Sequence, residues 1–184
     1  LKPSWRMVWQ FVWERVVIWT ANRFSKKNLF AVDIANTGND ITALPEFQQA
    51  DIVHLHWVNQ GMLSLKDIRK ILESGKPVVW TMHDMWPATG ICHYARQCDH
   101  YRTTCHNCPY INEGKGHKDL STRTFRRKQA LYAGRQIHFV TCSRWLEGKA
   151  RQSALLQGMP VTSIPNAINT NLFRPHDKME ARRK

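Results

Sequence analysis

Apolar positions recur three and four apart along the first two dozen residues: Trp5, Val8, Trp9, Val12, Trp13, Val16 and Trp19. That spacing predicts a helix over residues 4–24 with one apolar face, and Arg6, Arg15 and Arg23 lie off the stripe. Such a helix either lies in a membrane interface, where Trp and basic residues are favoured, or packs on its own domain or an absent neighbour. A looser stretch rich in turn formers follows, AVDIANTGNDITALPEF.

From Ala50 the pattern changes to short apolar runs alternating with helical spacing. DIVHLHW reads as a strand. SLKDIRKILESG reads as a helix, with Ser64 and Asp67 as a capping-box start and Gly75 as its stop. KPVVWTMHD is a second strand, residues 121–133 a helix, QIHFVTCS a strand, RWLEGKARQSALLQG a helix ending at Gly158, and PVTSIPN a fourth strand. Strands this short that alternate with helices imply an α/β fold, a parallel sheet with helices on its faces joined by right-handed crossovers.

In such sheets ligands gather at the carboxyl ends of the strands. That rule selects His56, Trp57 and Asn59 after the first strand, His83 and Asp84 after the second, Cys142 and Ser143 after the third, and Pro165 and Asn166 after the fourth; Gly61, in the loop after Asn59, lets backbone and ligand come close, and Arg144 beside Ser143 would strengthen a phosphate reading. His83 can donate to a phosphate oxygen or a sugar hydroxyl, and a carboxylate one residue on can orient it or hold a hydroxyl directly. His54 and His56 share a strand face; His54 reads as a buried histidine with its partner satisfied. Ser143 reads as a helix N-cap with Arg144 beside it. Neither G-x-G-x-x-G nor a Walker-type loop occurs.

A long cysteine-rich insert follows His83, with spacing Cys92-x5-Cys98-x6-Cys105-x2-Cys108. Four thiolates closing on a structural zinc would fix a loop too long to hold itself. Two disulfides or unbound thiols are the alternatives, and His93, His100 or His106 could replace a thiolate. A complete four-cysteine set leaves no open position for catalysis.

Composition adds one departure from the ordinary. Among 184 residues, 27 Lys and Arg against 14 Asp and Glu leave +13, which favours anionic partners such as phosphates, nucleic acid or an acidic membrane surface without choosing among them. No run of 18 uncharged apolar residues and no secretory pattern occurs, so a cytoplasmic location is expected, at the inner face of the membrane if the opening helix engages lipid.

Taken together, ADIVHLHW, KPVVWTMHDMWPATGICHY, CHNCP, FVTCSRWL and IPNAINTNLFRP resemble the amino-terminal half of GT-B glycosyltransferases of family 4, in the bacterial polysaccharide-assembly branch that carries a cysteine-rich insert. The resemblance runs from about Asp51 to Pro175. It implies a Rossmann-like domain of a retaining transferase that moves a sugar from a nucleotide-sugar donor to a hydroxyl of a glycan or lipid-linked acceptor, with no cofactor for catalysis and no nucleic acid. The family histidine maps onto His83, near the donor sugar or acceptor hydroxyl. The family hinge turn maps onto Pro165, Asn166, Ala167 and Ile168, with Ala167 where a glycine is usual. Residues 1–175 are then an acceptor-side domain incomplete at its start and 176–184 the start of a linker, with the donor-binding domain absent and the fragment inactive alone. The competing expectation is a zinc-stapled basic module that binds nucleic acid.

Overall fold

The computed structural model describes residues 5–112 and 119–183, so Ser4, the expected first residue of the opening helix, and Lys184 lie outside the described residues. Among the described residues, six α-helices and four strands follow in order: α1 (Trp5–Ala21), α2 (Pro45–Gln49), β1 (Val53–Leu55), α3 (Leu65–Glu73), β2 (Val78–Met82), α4 (Leu120–Tyr132), β3 (Ile137–Thr141), α5 (Arg144–Arg151), β4 (Val161–Ser163) and α6 (Lys178–Arg183). The strands form one sheet in the order β1-β2-β3-β4, every pair parallel. This is the α/β, Rossmann-like arrangement that the alternating pattern implies.

Because each connection steps the same way across the sheet, repeated right-handed crossovers lay their helices on one face. Burial follows that geometry. Val53, Leu55, Val78, Trp80, Met82, Ile137, Phe139 and Val161 point into the core. His54, Val79, Thr81, His138, Val140 and Thr162, on the other face, are exposed or half-buried. His54 is therefore not the buried histidine expected from the strand pattern: it is exposed, and its Nε2 meets Thr81 Oγ1 at 2.8 Å. No helix covers that side among the described residues.

The helix ends obey local chemistry. Ser64 and Asp67 form the reciprocal capping box at the start of α3, and Gly75, at φ +78°, takes the left-handed turn beyond its end. Asp119 caps α4 and Ser143 caps α5. α5 stops at Arg151 rather than near Gly158. Ser153 Oγ instead donates to Ala88 O (2.6 Å) and Ala154 N to Tyr101 O (3.1 Å), which draws the chain onto the insert.

The insert is anchored on the core from beneath. Trp80 packs against Phe139, Trp86 and Tyr132 with ring centroids 5.9–6.4 Å apart. Lys128 is fully buried on α4. Its Nζ donates to Trp86 O (2.6 Å) and Thr89 O (3.0 Å) and lies 3.3 Å from the Trp86 ring centroid. Burial pulls its pKa down to about 7.

α1 sits on the domain by its polar side. Gln10, Glu14 and Arg15 are buried with Ile18, whereas Trp5, Val8, Trp9, Val12, Trp13 and Val16 are exposed, Trp5 by 83%. The stripe is thus not packed on its own domain. The reason lies in the irregular segment beneath, whose backbone needs partners. Glu14 Oε1 accepts from Ile34 N (2.8 Å) and Ala35 N (2.7 Å), Arg15 Nη1 donates to Leu29 O (2.6 Å) and Val32 O (3.1 Å), and Gln10 Nε2 donates to Gly38 O (2.8 Å). Gly38 is packed so tightly on the start of α3 that a Cβ there would stand 2.0 Å from Ser64 N.

Candidate functional site at the carboxyl rim of the sheet

The parallel register brings the strand ends side by side, with Met82 opposite Thr141 and Thr141 opposite Ser163. Where β1 and β2 end, the alignment becomes direct contact. His56 Nδ1 and His83 Nε2 lie 3.0 Å apart with rings stacked at 5.3 Å, so one imidazole donates and the other accepts. Trp80 Nε1 donates to His56 O (2.9 Å), which fixes the end of β1 against β2. Both histidines are exposed, so the pair faces any ligand at the rim. The His54 ring lies beside His56 at 4.3 Å, tilted by 38°; its partial desolvation, then the neighbouring His56, lowers its pKa.

Asp84 occupies a different position from that expected. Its Oδ1 accepts from Trp86 N (2.8 Å), and its Oδ2 accepts from Trp57 Nε1 (3.1 Å) and meets His93 Nδ1 at 2.6 Å. Both carboxylate oxygens are therefore already committed to protein donors. His93 meets Asp33 Oδ2 through Nε2 at 2.5 Å, and Asp33 is ion-paired to Arg15. Burial alone would lower the His93 pKa, but its bonds to Asp33 and Asp84 outweigh that and push it up to about 9.

The remaining expected residues are spread around this pair. Asn59 is buried, and its side-chain amide nitrogen has no partner among the described residues, leaving an unspent donor three residues beyond His56. Gly61, at φ +83°, packs on α1, where a Cβ would lie 3.0 Å from Phe11 N; its small size serves that packing. Ser143 is half-buried and its Oγ accepts from Leu146 N (3.2 Å), so it works as the N-cap. Arg144 and Asn166 are exposed at the ends of β3 and β4.

One family model matches this chain, Glycosyltransferase Family 4, over residues 8–172. The chain belongs to glycosyltransferase family 4. The matched span takes in α1 and the segment before β1, upstream of Asp51, where the resemblance in sequence motifs begins. A similar protein is a putative colanic acid biosynthesis glycosyl transferase of Escherichia coli strain K12, WcaC, 33% identical over 67 residues. That match covers 33% of this chain and 16% of the length of WcaC. No solved structure matches.

In this family 4 domain the four insert cysteines are free and gather round one cavity of about 20 Å³, which Cys92, Cys98, Cys105 and Cys108 all line. Gly90 N donates to Cys105 Sγ at 3.2 Å. Burial pushes the Cys92 thiol up to about 11 and the Cys105 thiol up to about 12. Among the described residues, no three His, Cys, Asp or Glu side chains stand as a formed metal-holding group. His93 is committed to the two aspartates and is not a substitute ligand.

Two members of the rim network, Asp33 and Arg15, are not evident from strand-end reasoning, because both precede β1. The available signal was a charged residue inside the apolar run Val32-Asp33-Ile34, and acid-base neighbours Glu14 and Arg15 opposite an apolar stripe.

Proposed function

We propose that this family 4 domain is the acceptor side of a retaining glycosyltransferase. It would work at the cytoplasmic face of a membrane, moving a sugar from a nucleotide-sugar donor to a hydroxyl of a lipid-linked glycan in surface polysaccharide or lipopolysaccharide synthesis. The observation that carries the reading is the His56–His83 imidazole pair at the carboxyl rim, where two strand ends present donors and acceptors to a hydroxyl-bearing ligand. The name of the E. coli relative supports the polysaccharide context. Residues 1–175 form the domain on this reading, and a donor-binding partner domain completes the site.

The membrane part of the reading draws on α1. Its exposed Trp and Val stripe lies beside Arg6, Arg23, Lys26 and Lys27, the composition of an interfacial helix facing anionic lipid. No helix among the described residues is long and apolar enough to cross a membrane. The insert is proposed to close round one structural zinc, supported by four free thiols on one small cavity. Metal analysis of protein purified without chelator should then find one zinc per chain, and a metal-free, fully folded protein would contradict it. The nucleic-acid alternative has no observation of its own beyond net charge.

The test uses the full-length gene product, labelled nucleotide sugars and membrane acceptors. Transfer is expected, with the product anomer matching the donor. His83→Ala should lower turnover by about a hundredfold or more, while His138→Ala, on the bare face of the sheet, leaves it unchanged. Full activity in His83→Ala would overturn the reading.

A further inference from the structure

We infer that His93 is a positioning residue of the rim, holding Asp84 and through it the Trp57 indole as a platform for the acceptor's sugar ring. The inference rests on the transferase reading and names how its acceptor is gripped.

The geometry begins with how firmly the ring is placed. The backbone of His93 is pinned on both sides: His93 N donates to Ala31 O (3.2 Å), and Met85 N donates to His93 O (2.8 Å). Both ring nitrogens then meet carboxylates, Asp84 at 2.6 Å and Asp33 at 2.5 Å. Held at both nitrogens, the ring cannot turn without breaking one of these two contacts. Asp33 is itself fixed by Arg15 and fully buried, and Trp86 Nε1 donates to its backbone oxygen at 2.8 Å. Arg15, Asp33, His93 and Asp84 thus form one continuous run of contacts from α1 to the rim. Because each side chain in it touches the next, the run resists displacement.

The end of that chain is Trp57. Asp84 Oδ2 accepts from its Nε1 at 3.1 Å, which sets the plane of the indole. The ring stays 38% exposed and immediately follows His56, one of the facing imidazoles. Pyranose rings have C–H faces that lie against aromatic surfaces, and an indole whose N–H is already spent offers only its face. Both Asp84 oxygens meet protein donors, which suits it to orienting Trp57. Removing His93 strips Asp84 of its strongest donor and lets Trp57 turn.

The experiment measures initial rates of the full-length enzyme with donor and acceptor varied separately, for wild type, His93→Gln, Trp57→Ala and the double variant. His93→Gln has all its N–H donors on one nitrogen and sets an acceptor oxygen where the ring's second nitrogen stood, so it does not reproduce the two-ended grip on Asp33 and Asp84. The expected result is an acceptor KM raised roughly tenfold or more, with donor KM and kcat within about twofold of wild type. Trp57→Ala should match it, and the double variant should be no worse than Trp57→Ala alone. Should His93→Gln fail to fold, Asp84→Asn carries the same expectation. An unmoved acceptor KM, equal losses toward donor and acceptor, or losses that multiply in the double variant would each overturn the inference. A wild-type enzyme that transfers no sugar overturns the transferase reading as well, whereas an active wild type with an unmoved acceptor KM overturns this inference alone.

Discussion

α1 and α3 carry the same three-and-four spacing of apolar residues, yet they sit on the domain in opposite senses. α3 buries Ile68, Ile71 and Leu72 and shows Lys66, Arg69 and Lys70 to solvent. α1 buries Gln10, Glu14 and Arg15 and shows its tryptophans. Periodicity states which residues share a face; it does not state which way the face looks. The deciding factor is what lies beneath. α3 lies over a sheet whose ladder already satisfies its own backbone, so only apolar contact is needed. α1 lies over residues 29–39, an irregular segment whose carbonyls and N–H groups need side-chain partners that Trp and Val cannot supply.

The largest effect should come from the buried polar seat of α1. Arg15→Met leaves Asp33 Oδ1 and two carbonyls without the Arg15 donor and should cost about 3–5 kcal/mol in denaturant unfolding. A loss below that of a surface substitution would mean that α1 is not seated by its polar face. Next comes the apolar seat of α3: Ile71→Ala should cost about 2–4 kcal/mol by the same measurement. The Trp9→Ser, Trp13→Ser pair, on the exposed face, should change stability by no more than about 0.5 kcal/mol while abolishing co-sedimentation with anionic vesicles. A chain that instead loses a dimer, or loses stability, would show the stripe to be a protein contact. The smallest effect concerns charge. Burial, then the neighbouring Asp33, raises the Glu14 pKa above its ordinary 4.5, so its ionised form is penalised in the folded state. Stability therefore falls as pH rises from 4.5 through the raised folded value. Glu14→Gln keeps an acceptor oxygen and removes the charge, so its stability should rise relative to wild type over that window.

The fold was largely legible because α3, α4 and the four strands are local: a capping box, a stop glycine and short apolar runs declare themselves within a few residues. His56 and His83 were legible for the same reason, since each ends a strand and the parallel topology does the rest. The exceptions are all long-range. The orientation of α1 depends on a segment some twenty residues away, the early end of α5 depends on Ala88 and Tyr101, and the exposure of His54 depends on every crossover taking one face. Asp33 and His93 stand 60 residues apart in sequence and meet only through the insert. Spacing along the chain contains no statement about such meetings.

On the reading proposed above, the imidazoles of His56 and His83 act as one device at the rim. A double-mutant cycle in the full-length enzyme, comparing kcat/KM for His56→Ala, His83→Ala and the two together, tests it most directly. Each single change should cost about a hundredfold, and the double change no more than the worse of the two. Losses that multiply, or a His83→Ala enzyme within about twofold of wild type, would contradict it.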